Sequence, residues 1–207
     1  KKIEKSVDLG GRRITITTGH VAGQATSAVM ASYGETVCLV TVVAAPLRDD
    51  PGYFPLQVEY QERLFAGGLI KGSRWVKRDG KPTDEAVLTA RLIDRFIRPL
   101  FPKEYKMDIQ VIVNVLSYDM ENFPDILSGI ATSAALAASS IPWDGPAAIV
   151  KVGLKSDDFI VNPIESEMKD SEMELIVAGT KESVVMIEAG AKEISESKIL
   201  EGIAFGQ

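Results

Sequence analysis

Cysteine and histidine are almost missing: Cys38 and His20 stand alone among 207 residues. One of each excludes a zinc-finger site and leaves a histidine-dependent triad or a histidine-rich metal centre without its parts. Cys38 lies in the apolar run Val37-Cys-Leu-Val-Thr-Val-Val43 with no basic neighbour, which predicts a small buried core residue and not a reactive thiol. A chain with no second cysteine to pair with fits a reducing, cytoplasmic compartment. No apolar run approaches the roughly 18 residues a membrane crossing needs. The opening Lys1-Lys-Ile-Glu-Lys-Ser-Val lacks the apolar region of a signal peptide. Gly67, Gly68 and Gly72 are not followed by Gly-Lys-Ser/Thr behind a strand, so a P-loop is excluded too.

What the chain does have is charge in the wrong place. Its net charge is −6, yet Lys71 to Lys106 carries ten basic residues against five acidic, a net of +5. In Ala90-Arg-Leu-Ile-Asp-Arg-Phe-Ile-Arg-Pro99, spacings of four and three put Arg91, Arg95 and Arg98 on one side of a helix. Upstream, Lys71, Arg74, Lys77, Arg78 and Lys81 crowd a Gly-rich loop around Trp75. A cationic patch on an acidic protein points to a polyanion. A basic loop with an aromatic beside a basic helix fits a single strand, whose bases stack on rings while phosphates meet cations. The competing reading is structural, since Asp94 could bridge Arg91 and Arg98 at i+3 and i+4. A carboxylate cluster from Glu165 to Glu174 could hold magnesium, but Glu172 and Glu174 alternate with Met173 and Leu175, which favours a solvated face.

Periodicity predicts a mixed α/β domain, with 45% hydrophobic residues to build its core. Gly10-Gly11 reads as a hairpin turn. Strands are predicted at Arg12–Thr18, Ser27–Tyr33, 36–45 and Leu56–Glu62, antiparallel through the first half. Thr83 is a predicted N-cap for the arginine helix and Pro99 its end. Further along come a strand over 108–117, a small-residue helix capped by Asp125 and running to about Ser140, and hairpins over 147–161 and 174–188. A last helix is expected from about Ser195, with the chain cut off at Gln207.

Three stretches carry a family resemblance: Phe54-Pro-Leu-Gln-Val-Glu-Tyr-Gln-Glu-Arg63, Trp75-Val-Lys-Arg-Asp-Gly-Lys-Pro82 and Arg91-Leu-Ile-Asp-Arg-Phe-Ile-Arg-Pro-Leu-Phe-Pro102. With Ile141-Pro-Trp-Asp-Gly-Pro146, Val177-Ala-Gly-Thr180 and Ala204-Phe-Gly206, they resemble the N-terminal core of bacterial-type polynucleotide phosphorylases over essentially the whole chain. The resemblance implies an RNase PH-like core of the ribosomal protein S5 domain 2-like type, with mixed sheets and packed helices. Residues 1–207 would then be a single domain, with a second core and KH and S1 domains expected beyond. It further implies a 3′-to-5′ phosphorolytic exoribonuclease in which inorganic phosphate attacks the terminal phosphodiester and nucleoside diphosphates leave. That enzyme would be a homotrimer and a possible member of an RNA-degradation complex.

Departures from the family's active core imply that this one is not catalytic. The loop Tyr118-Asp-Met-Glu-Asn-Phe-Pro-Asp125 replaces a small-residue phosphate cradle, and Ser166 stands where an earlier aspartate is expected. Trp75-Val76 replaces paired aromatics, and Phe96 replaces a proline. The resemblance leaves single-stranded RNA as the ligand here, held by Trp75, Lys77, Arg78, Lys81, Arg91, Arg95 and Arg98. Mg²⁺ is expected in the second core and no metal in this one. The alternatives are an inactive subunit of an exosome-like ring and a stand-alone RNase PH acting on tRNA 3′ ends.

Overall fold

The computed structural model describes residues 1–70 and 80–207. The chain begins as a meander. Strands β1 (Ile3–Leu9) and β2 (Arg12–Thr18) are joined by Gly10 and Gly11, whose φ angles of +57° and +74° suit the tight turn between twisted strands. Strands β3 (Ser27–Tyr33) and β4 (Thr36–Pro46) continue it through a turn at Gly34. Strand β5 (Leu56–Glu62) then breaks the pattern, because it pairs in parallel with β6 (Met107–Ser117). An all-antiparallel first half is therefore corrected. Parallel neighbours cannot be joined by a hairpin. The connection here includes a 3-10 turn (Leu64–Gly67) and the arginine helix α1 (Asp84–Ile97). The six-stranded sheet runs β1-β2-β3-β4-β6-β5, leaving β5 at its edge.

Alternation in β4 and β6 builds the main core. Cys38, Val40 and Val42 pair with Val115, Val113 and Val111, so all six side chains are buried on one face. Helix α2 (Pro124–Ala137) packs on that face against β3 and β4. Its N-cap is Phe123, not Asp125; Asp125 lies in the first turn, where its carboxylate accepts from the Ile126 N–H at 2.7 Å. Cys38 is fully buried, and that burial pushes its thiol pKa up to about 12.

The second sheet, ordered β10-β9-β7-β8, is antiparallel throughout. It contains β7 (Ala148–Lys155), β8 (Asp158–Val161), β9 (Met173–Gly179) and β10 (Val184–Ala191). The short helix α3 (Glu165–Lys169) lies between β8 and β9 in sequence, so the carboxylates from Glu165 to Glu174 run from a helix into a strand. Helix α4 (Glu196–Gly206), capped by Ser195, covers β7 and β9 with Ile199 and Ile203 against a cluster of Val152, Leu154, Met173, Leu175 and Val177.

Helix α2 joins the two halves because its residues are small. A Cβ on Gly129 would lie 2.6 Å from Ile149 Cγ2 on β7 and 3.3 Å from the Phe96 ring on α1. Alanine at Gly129 would gain about 1 kcal/mol of helix propensity on an exposed helix. Here Gly129→Ala is expected to lower stability by about 1–3 kcal/mol through overpacking, measured by urea unfolding. A stabilised variant would show that α2 can shift freely between the sheets.

Candidate functional site

Helix α1 has one apolar face, which buries Ala86, Leu92, Ile93, Phe96 and Ile97. Thr83 caps it as expected, accepting from the Ala86 N–H at 3.0 Å, and Asp84 and Glu85 lie in the first turn, where they suit the helix dipole. The Thr83 hydroxyl also reaches Glu62 Oε2 at 3.4 Å, so the helix starts beside the end of β5. Between β5 and α1 lies an open groove of about 410 Å³. Leu56, Val58, Tyr60, Ala86 and Ala90 give it an apolar lining, and Arg91, Asp94 and Arg98 also border it.

The structure separates the three arginines by what they touch. Arg98 donates to both oxygens of Asp94, at 2.6 and 2.9 Å, and to the carbonyls of Phe54 and Leu56 at 3.1–3.2 Å. It thus fastens the end of α1 to the start of β5. Arg95 pairs with Glu188 of β10 at 2.7 Å, with both side chains about half exposed. Solvent screening makes such a pair worth at most about 1 kcal/mol. Arg91 is exposed, and neither it nor exposed Lys81 has an ion-pair partner among the described residues. Among the described residues Asp94 pairs with Arg98 alone. Trp75, Lys77 and Arg78 lie outside the described residues.

Two further clusters show what the acidic loop 118–125 does in the fold. Asp119 follows β6, and its carboxylate accepts from the N–H groups of Glu35 (3.0 Å), Thr36 (3.2 Å), Glu121 (2.9 Å) and Asn122 (2.8 Å), the Thr36 hydroxyl (2.9 Å) and Asn122 Nδ2 (2.7 Å). Converging backbone N–H groups form a cradle for an anion. The protein's own carboxylate fills it. Burial pulls the Asp119 pKa up, but the bonds from Asn122, Glu121 and Thr36 outweigh that and hold it below the ordinary carboxylate range. Gly34 makes room for this arrangement, since a Cβ there would lie 2.4 Å from Asn122 Nδ2 and its φ is +59°.

Lys151 on β7 is buried, with Nζ 2.9 Å from Glu174, 3.5 Å from Asp125 and 3.9 Å from the centre of the Phe123 ring. Burial pulls its pKa down, yet Asp125 and Glu174 leave it above the ordinary lysine value. A permanent ammonium therefore stands between the carboxylates that a metal ion would need. Among the described residues no three His, Cys, Asp or Glu side chains converge to hold a metal. Only chain-distant pairing reveals these clusters: Asp119 and Thr36 are 83 residues apart.

The model of the 3′ exoribonuclease family, domain 1, matches residues 10–142, and that of domain 2 matches residues 145–207. The chain belongs to the 3′ exoribonuclease family. It is 48% identical over 207 residues to a polyribonucleotide nucleotidyltransferase of Acidiphilium cryptum, covering all of this chain and 29% of the relative. A Rhodopseudomonas palustris protein of the same description is 49% identical over 201 residues, 97% of this chain and 28% of its own length. The chain thus spans less than a third of these relatives. The fold of this family member matches rice Rrp46 with a TM-score of 0.74 at 14% identity, over 93% of this chain and 86% of that one. It matches a chain of an Archaeoglobus fulgidus exosome with RNA bound to the active site with a TM-score of 0.73 at 19% identity, over 94% and 85%. The RNase PH-like fold expected from the resemblance is the fold observed.

Because the folded-state pKa of Asp119 lies below the unfolded value of about 3.9, its contribution is present above that pH and lost as pH falls through the folded pKa. Asp119→Asn should be less stable than the wild type by about 2 kcal/mol at neutral pH. The gap should close below about pH 4, read from urea unfolding at a series of pH values. A gap that stays constant into acid would remove the charge from the explanation.

Proposed function

We propose that this chain is the first core of a polyribonucleotide nucleotidyltransferase that degrades RNA from its 3′ end, and that this core binds single-stranded RNA and builds the ring without performing the chemistry. The observation that carries the non-catalytic assignment is the Asp119 carboxylate in the anion cradle of Glu35, Thr36, Glu121 and Asn122. Inorganic phosphate entering there would have to displace a fixed negative charge. Phosphorolysis, with nucleoside diphosphates as products, then belongs to a second core, followed on this reading by KH and S1 domains. Mg²⁺ belongs there as well, because Lys151 already neutralises Asp125 and Glu174 here. The assembly would be a cytoplasmic homotrimer taking part in mRNA degradation, alone or within a larger complex. In the structure no described helix is long and apolar enough to cross a membrane.

The RNA-binding half of the reading is supported by cations that have no ion-pair partner among the described residues. Arg91 and Lys81 are free to meet phosphates, Arg95 can do so by releasing Glu188, and Arg98 chiefly secures the helix. Trp75, Lys77 and Arg78 extend the track by sequence. In the full-length protein, Arg91→Ala and Lys81→Ala should each reduce the salt slope of single-strand binding by about 0.7 and leave the melting temperature unchanged. Arg98→Ala should instead lower stability by about 2 kcal/mol. Unchanged affinity and slope for both Arg91→Ala and Lys81→Ala would reduce this core to a scaffold. Residues 1–207 alone, incubated with poly(A), phosphate and Mg²⁺, should release no ADP, and robust phosphate-dependent release would overturn the non-catalytic assignment.

A further inference from the structure

Six of the seven phenylalanines are accounted for by the fold. Phe96 is fully buried, Phe123 lies under Lys151, Phe54 pairs with Phe101 at 4.9 Å, and Phe159 stacks on Phe205 at 5.5 Å. Phe65 is the exception. Its side chain is 62% exposed and has no ring partner among the described residues. Exposing a ring forgoes the burial that normally rewards it.

The backbone beneath that ring is firmly held. Phe65 lies in the 3-10 turn Leu64–Gly67, which Gly68 closes with a φ of +72° and an N–H donated to the Phe65 carbonyl at 3.1 Å. The Tyr118 N–H donates to Ala66 O at 3.0 Å, and Leu69 N–H to Leu64 O at 2.9 Å. Arg63, just before the turn, forks onto Asn114 Oδ1 at 3.0 and 3.3 Å. The ring is therefore presented from a fixed platform. That turn stands at the end of β5, where the Thr83–Glu62 contact also brings the start of α1. Exposed Lys81, which has no ion-pair partner among the described residues, lies two residues before Thr83.

We propose that Phe65 is a base-stacking residue for the single strand. This rests on the RNA-binding reading above and adds to it a residue that reads bases where the arginines meet phosphates. A flat ring on a rigid turn, joined in sequence to a cationic segment, suits a nucleobase, whose π-face stacks without regard to its identity. Exposed Leu64, Leu69 and Ile70 flank it in sequence, and Met120, whose Cε would lie 4.0 Å from a Cβ on Gly67, extends the apolar surface of the turn.

The test compares oligo(A) with an abasic strand of the same length and charge, using full-length protein. Phe65→Leu keeps apolar bulk and removes the ring; it should weaken oligo(A) binding about tenfold, leave the abasic strand unaffected and keep the wild-type melting temperature. Phe65→Tyr, which retains a ring, should bind both strands as the wild type does. Wild-type affinity of Phe65→Leu for oligo(A), or an equal loss on both strands, would overturn the proposal. So would a changed assembly mass with both affinities intact, which would assign the patch to a polypeptide contact. Arg91→Ala measured alongside on the abasic strand reports separately on the phosphate track, so failure of that reading and failure of the stacking role give different results.

Discussion

Close approach at α2 is the constraint on which the rest of this core depends. Beside Ile126, Leu127 and Leu136, the buried residues of this helix are all small (Ser128, Gly129, Ala131, Thr132, Ser133 and Ala135), and at Gly129 a Cβ would collide with Ile149. Small side chains bring backbones close enough for Ile149 and Phe96 to share one contact, and that contact joins the second sheet to the first. Interiors packed to this density transmit displacement instead of absorbing it. The positions of β7 and α1, and with them the arginine helix, are set by how little room α2 leaves.

Polar fastenings then fix what packing alone leaves loose. Asp119 ties the turn at Gly34 to the loop before α2, Lys151 ties the first turn of α2 to β9, and Arg98 ties the end of α1 to β5. Each places a charge against several partners, so each is costly to disrupt from one side. Together they convert residues that look like ligand-binding chemistry in the sequence into internal structure. On and just before α1, Lys81 and Arg91 are the cations without an ion-pair partner among the described residues.

How much of this was legible follows from the range of each interaction. Strict alternation placed Arg12–Thr18 and Leu56–Glu62 to the residue, and Thr83 was readable as a cap because its partner is three residues away. The direction of β5 against β6 was not readable, since period-two alternation is the same in parallel and antiparallel strands. Asp125 looked like a cap from its position before an apolar run, but Phe123-Pro124 starts the helix and frees Asp125 for Lys151. Helical spacing correctly put Arg91 and Arg95 on one helix, with Arg98 as its C-cap. It could not show that Glu188 lies 93 residues from Arg95 in sequence and 2.7 Å from it in space.

The Lys151 ammonium has a property no dissolved ion shares: it is covalently tethered. An ion held by Asp125 and Glu174 would come and go with its concentration in solution, whereas a tethered one keeps a constant effective concentration. Chelators, competing metals and swings in divalent-ion supply therefore have no purchase on the joint between α2 and β9. This face of the core stays assembled whatever the divalent-ion supply around it.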